Sequence, residues 1–150
     1  MEMKCKRPYM ERYWRKEFKK EIDIYQWEEI YVNRIYCLPD NKLKEFMYKL
    51  FHNIIPCREI LVKWKKETCD LCPICKEVEN IKHIYYSCQC IQSVWSEIGN
   101  KMKMDINWDK ILLGFTQDIA ILGVRNLCFS FIMYAKYKFA AKSVDQRVTN

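Results

Sequence analysis

Cys72-Pro73-Ile74-Cys75, then seven residues to His83, then four to Cys88, is the stretch that decides the fold. Zinc takes nitrogen and sulfur ligands at tetrahedral corners, and its structural sites pair short Cys-x-x-Cys turns with a second close pair. Pro73 stiffens the turn by fixing its backbone before any ion arrives. The spacing therefore predicts one structural Zn2+ held by Cys72, Cys75, His83 and Cys88. Cys69 and Cys90 lie near enough in sequence to stand in for Cys88; the four-residue gap after His83 favours Cys88. On an unbroken α-helix, residues five apart would sit about 140° apart around the axis. The helix carrying His83 is therefore expected to end near Ser87, so that Cys88 turns back to the metal.

The rest of the composition suits a helical body around this turn. One hundred and fifty residues make one domain, and half of them are hydrophobic, enough for a packed core. Three glycines and four prolines favour helices over a turn-rich β-sandwich. Nine cysteines is an odd count, and the first twenty residues are charged throughout with no apolar leader. Thiols used as metal ligands in a reducing compartment, nuclear or cytoplasmic, are expected in place of a disulfide framework. A net charge of +7 points weakly to a polyanionic partner.

The chain is divided on this reading into a basic arm or helix over 1–24, a helical domain over 25–140 and a disordered tail over 141–150. In the arm, Tyr9, Tyr13, Trp14 and Phe18 interleave with basic residues, predicting a helix from about Tyr9 to Lys20. Trp27, Ile30, Tyr31 and Arg34 form the next stripe. Asn41 is placed as the cap of the clearest helix, with Leu43, Phe46, Met47, Leu50 and Phe51 on one face. His52 is read as a histidine at that helix's end. Pro56 separates it from a short helix with Ile60, Leu61 and Trp64 inward. Asn80 caps a helix that places Ile81, Ile84 and Tyr85 inward and His83 towards the metal. Ile91, Val94, Trp95, Ile98 and Met102 read as another face, with Glu97 and Lys101 paired. Trp108, Ile111, Leu112 and Phe115 make a short segment closed near Gly114. A last helix runs from about Asp118 to Ala141, with Ile121, Val124, Cys128, Ile132, Ala135 and Phe139 on one face. Its apolar run contains Arg125 and Asn126, so it is read as a core helix and no membrane span.

These residues carry a resemblance. Trp27-Glu28-Glu29-Ile30, Leu38 to Phe46, Lys49 to Pro56, Cys72-Pro73-Ile74-Cys75, His83 to Cys88 and Val94-Trp95 resemble the zinc-binding region that follows the reverse transcriptase domain in LINE-type (non-LTR) retrotransposon polyproteins. Trp108 to Gly114 and Ala135-Lys136-Tyr137 are similar to the tail beyond that region. The resemblance implies a mainly α fold, a small helical domain with an inserted Cys-Cys-His-Cys zinc turn. It implies the four ligands Cys72, Cys75, His83 and Cys88, an upstream reverse transcriptase domain, and a role in holding template RNA or target DNA. Such polymerases carry an aromatic-x-Asp-Asp site, and no Asp-Asp pair occurs in this sequence. The only Pro-Asp, Pro39-Asp40, precedes the thiols in a turn. A zinc ion with four protein ligands keeps no open position for hydrolysis.

The leading expectation is thus a non-catalytic module meeting nucleic acid through backbone charge. Arg12, Arg15, Lys16, Lys19 and Lys20 in the arm, and Lys63, Lys65, Lys66, Lys76 and Lys82 around the metal, are its contact residues. Taken singly, each lysine reads as a solvated side chain. A structural or protein-interaction domain, and an inert truncated remnant of an element, remain the alternatives. Tyr85, Tyr86 or Trp64 could stack on a base, although Trp64 and Tyr85 are expected in the core.

Overall fold

A computed structural model describes residues 10–114 and 126–138. The fold is mainly helical, and among the described residues the only β pairing is an antiparallel bridge between Leu71 and Val78. No described helix is long and apolar enough to cross a membrane. The chain divides into two compact units, one holding Asn53–Lys110 and the other the residues on either side.

The flanking unit starts with α1, Glu11–Phe18, two residues shorter at each end than its aromatic spacing predicts. Trp14 is buried, stacks on Phe18 and donates its indole N–H to the carbonyl of Phe51 at 2.7 Å. Helix α2, Ile24–Tyr31, opens with a reciprocal capping box between Asp23 and Gln26. It runs on into a π-turn, Val32–Tyr36. The stripe of Trp27, Ile30, Tyr31 and Arg34 is buried throughout, the arginine included. Helix α3, Asn41–Phe51, buries all five of its apolar stripe residues. Its cap is Asp40, whose carboxylate accepts from the Lys42 N–H; Asn41 is the first helical residue. Carboxylate and amide cap about equally well, so neighbouring Asp and Asn leave a one-residue ambiguity in sequence. His52 ends α3, its Nδ1 2.9 Å from the Tyr48 carbonyl oxygen.

Residues 126–138 are helical and pack on α3, with Tyr134 and Tyr137 against Phe46. Phe129 and Met133 face inward, while Cys128 and Ile132 are half-buried and Ala135 is exposed. This corrects the expected face by about one residue. A helix that is apolar on most sides has no unique inward stripe, and bulk decides which side is buried. Ile121, Val124, Phe139, the 141–150 tail and the first nine residues of the arm lie outside the described residues.

Helix α6, Trp108–Leu113, ends at Gly114, whose φ of +75° suits glycine. A Cβ there would stand 2.5 Å from Arg34 Cδ and 2.7 Å from Asn126 Oδ1. Gly114→Ala should therefore lower stability by about 2–4 kcal/mol, combining left-handed strain with overpacking. Urea unfolding measures it; a change under 1 kcal/mol would show that Arg34 moves aside at little cost.

In the Asn53–Lys110 unit, α4 spans Arg58–Lys63 and α5 spans Gln89–Met102. Ile91 and Trp95 are buried, the latter donating its indole N–H to the Tyr85 carbonyl at 2.8 Å. Val94 is exposed and Ile98 and Met102 are only half-buried, so the inward stripe of α5 is narrower than its sequence suggests. Glu97 and Lys101 pair at 3.4 Å on the wet side. Helix α4 buries none of its residues fully, and Trp64, expected inside, is 53% exposed. Six residues are too few for a second apolar turn, so nothing draws the indole inward.

Candidate metal centre

Two local structures build the centre. The first is a tight hairpin whose tip is Cys72-Pro73-Ile74-Cys75. The Cys72 N–H donates to Glu77 O at 2.7 Å, Lys76 N–H to Cys72 O at 2.9 Å, and Glu79 N–H to Asp70 O at 2.8 Å. Lys76 takes a left-handed conformation, φ 60°, to reverse the chain. Glu79 also receives the Glu59 N–H at 3.1 Å, which ties the hairpin to α4.

The second is the turn that carries His83. Asn80 caps it, accepting the His83 N–H at 2.8 Å as its sequence position predicts. From His83 to Ser87 the chain winds as a π-turn, closed by the Cys88 N–H on the His83 carbonyl at 2.8 Å. An i→i+5 ring is wider than an α-turn and brings residues five apart side by side. The helical winding ends at Ser87 as the sequence predicts, and the π-turn is the device that makes this geometry. Cys88 is then extended, ψ 140°, and begins α5 as its N-cap.

Together these place one ligand atom each from Cys72, Cys75, His83 and Cys88 within 4.8 Å of one another. Cys75 and Cys88 sulfurs are 3.7 Å apart. Ligands at ~2.3 Å from a tetrahedral ion stand about 3.7 Å from each other, whereas a disulfide would bring them to about 2.05 Å. Cys69 and Cys90 are exposed and outside this group. Cys72, His83 and Cys88 are buried and Cys75 is half-buried.

The electrostatics call for a cation. Burial works to raise the Cys72 thiol, but the N–H groups of Cys75 and Ile74, then His83 and Cys88, outweigh it and bring it down to about 7. Burial pushes the Cys88 thiol up to about 12, against a bond from the Cys90 N–H, and its neighbours Cys75 and Cys72 add to the rise. Three thiolates this close repel, so without a metal they cannot all be charged. A divalent ion removes that conflict. The N-terminus of α5 already favours negative sulfur: the Gln89 N–H approaches Cys75 Sγ at 3.5 Å. His83 Nε2 is buried without a hydrogen-bond partner. Its Nδ1 lies 3.9 Å from the exposed carboxylate of Glu77, close enough for attraction and too long for a hydrogen bond. That leaves Nε2 as the nitrogen suited to the ion, with Glu77 outside it. The donor set fits zinc. Glu77 escapes sequence reasoning because no spacing rule marks a carboxylate outside the ligands.

The basic residues divide between the two units. Arg12, Lys16, Lys19 and Lys20 are exposed, but Arg15 is half-buried and paired with Glu21 at 3.0 Å. Lys63, Lys65, Lys66, Lys76 and Lys82 are exposed in the unit that holds the cluster.

A donor set of three cysteines and one histidine converging on one point defines the class as a zinc-binding module. The chain belongs to the family described as zinc-binding in reverse transcriptase, which it matches over residues 9–95, more than half its length. That match is to the zinc-binding region, with no catalytic domain in it. No curated protein and no solved structure matches the chain significantly.

Proposed function

We propose that Cys72, Cys75, His83 and Cys88 hold one Zn2+, and that the module so fastened binds RNA or DNA without catalysing a reaction. The zinc supplies a rigid cross-link between the hairpin and the start of α5. The observation that carries the nucleic-acid reading is the set of exposed lysines, Lys63, Lys65, Lys66, Lys76 and Lys82, on the unit that contains the cluster. Arg12, Lys16, Lys19 and Lys20 add charge from the other unit; Arg15 adds less, since Glu21 already occupies it. In a LINE-type polyprotein the ligand would be template RNA or target DNA, and a reverse transcriptase domain would be attached. The resemblance to that class supports this.

Four or five phosphate contacts predict an affinity that falls about a hundredfold between 50 and 200 mM salt, with little sequence preference. A salt-titrated shift assay on RNA and DNA measures it. Absence of binding at 50 mM sinks the reading. A second reading, contact with a protein, draws support from Leu71, Ile74 and Val78, which are exposed on the hairpin. Binding that ignores salt would favour that one.

A further inference from the structure

The turn that ends α4 displays an indole among cations. Lys63-Trp64-Lys65-Lys66 is exposed at every position, and Trp64 is 53% exposed. The other four tryptophans, Trp14, Trp27, Trp95 and Trp108, are buried. An indole offers a broad apolar face with a polar edge, and here that face is open to solvent between cationic side chains.

The turn is held firmly. Lys65 N–H donates to Val62 O at 3.0 Å and Lys66 N–H to Leu61 O at 2.9 Å, the bond pair of a Schellman cap. That cap needs a left-handed residue, normally glycine. Here it is Lys65 at φ 57°. Lys76, at φ 60° on the hairpin, and Lys103, at φ 52° after α5, are left-handed lysines of the same unit, and Lys19, at φ 53°, closes α1 in the same way. A lysine in this conformation costs stability that glycine would not.

Resting on the nucleic-acid reading above, we propose that this turn is a single-strand site. Trp64 stacks on one unpaired base while Lys63, Lys65 and Lys66 neutralise the adjoining phosphates. Base stacking on an aromatic face requires an unstacked base, which a duplex interior does not offer. The ligand is therefore single-stranded RNA or DNA. Lysines on both sides of the indole favour a polyanion over an apolar peptide.

The test uses the full zinc-loaded chain with a uridine or thymidine oligonucleotide and a duplex of equal charge. Trp64 is the one exposed tryptophan, so single-strand binding should quench intrinsic fluorescence and shield it from iodide, and the duplex should not. Trp64→Ala should weaken single-strand binding about 5- to 150-fold, the range that stacking contributes per base, with an unchanged salt slope. Trp64→Phe should restore most of it. Lys65→Gly should lower the salt slope by about 0.7, one single-strand phosphate contact, without lowering the melting temperature. Zinc content and helicity, equal in all variants, exclude misfolding. If the parent binds nucleic acid but Trp64→Ala binds single strands equally well, this site is refuted and the broader reading stands. If the parent binds neither strand form at 50 mM salt, both fall.

Discussion

Cys75→Ser should purify without zinc and lose the fold of the unit around the cluster. The parent should carry one zinc per chain. Structural zinc contributes on the order of 10 kcal/mol to the folding of such motifs, as much as the whole stability of a small domain. Little else holds this region. Helix α4 has no fully buried residue, and the hairpin exposes Leu71, Ile74 and Val78. Between residues 68 and 90 the buried side chains are three of the ligands, Cys72, His83 and Cys88, with Ile81 and Tyr85. Serine keeps the volume of cysteine and removes the thiolate, so the loss is chemical and not steric. Cys75 is half-buried, so the substitution disturbs packing least among the three thiols. Metal analysis and amide exchange measure the outcome. Protection should vanish over 68–90 and persist in α3, whose core of Leu43, Phe46, Met47 and Leu50 contains no ligand. A chelator applied to the parent should reproduce the pattern. A parent without zinc, together with a variant that melts like it, would overturn the ligand assignment.

The metal cluster was legible because its information is local and chemical. Cys-x-x-Cys with a following His and Cys admits few alternatives, and the five-residue separation of His83 from Cys88 already demanded a break near Ser87. The means of the break, a π-turn, was not legible, since no residue type favours an i→i+5 ring strongly. The same holds for the π-turn at Val32–Tyr36. Stripes with a clear polar face, as on α3, gave their buried residues directly. Where the polar face is absent, as over 126–138, the inward side depends on partners distant in sequence, here Phe46. Trp64 misled because apolar character says that burial would be favourable, not that a partner surface exists. Arg34 stood in a correctly identified inward stripe, yet its use depends on carbonyls more than seventy residues away.

Arg34 should be the costliest single side chain to remove outside the metal centre. It is wholly buried, and among the described residues its hydrogen-bond partners are carbonyls with no carboxylate. Its Nε donates to Leu112 O at 3.0 Å, and its two terminal nitrogens donate to the carbonyls of Asn126 and Ile111. Burial brings its pKa down to about 9, so the guanidinium stays charged at neutral pH. The carbonyls explain the choice of residue. Ile111 and Leu112 lie in the last turn of α6, where carbonyls have no partner within the helix. One planar fork serves both and the carbonyl of Asn126, joining segments far apart in sequence. The carbonyls of Ile111 and Leu112, left buried and unpaired, cost about 1–3 kcal/mol each, whereas that of Asn126 keeps the Ser130 hydroxyl at 3.1 Å. Arg34→Ala adds a cavity to that loss, so about 3–5 kcal/mol is expected after partial rehydration. Arg34→Met fills most of the volume with no donor and isolates the polar part, for which about 2–4 kcal/mol is expected. Arg34→Lys keeps the charge as a single point that cannot reach three carbonyls in a fork, and should recover little. Urea unfolding of the three variants, each loaded with zinc, reads these values. If Arg34→Met unfolds within 1 kcal/mol of the parent, the carbonyls find other donors and the arginine merely fills space.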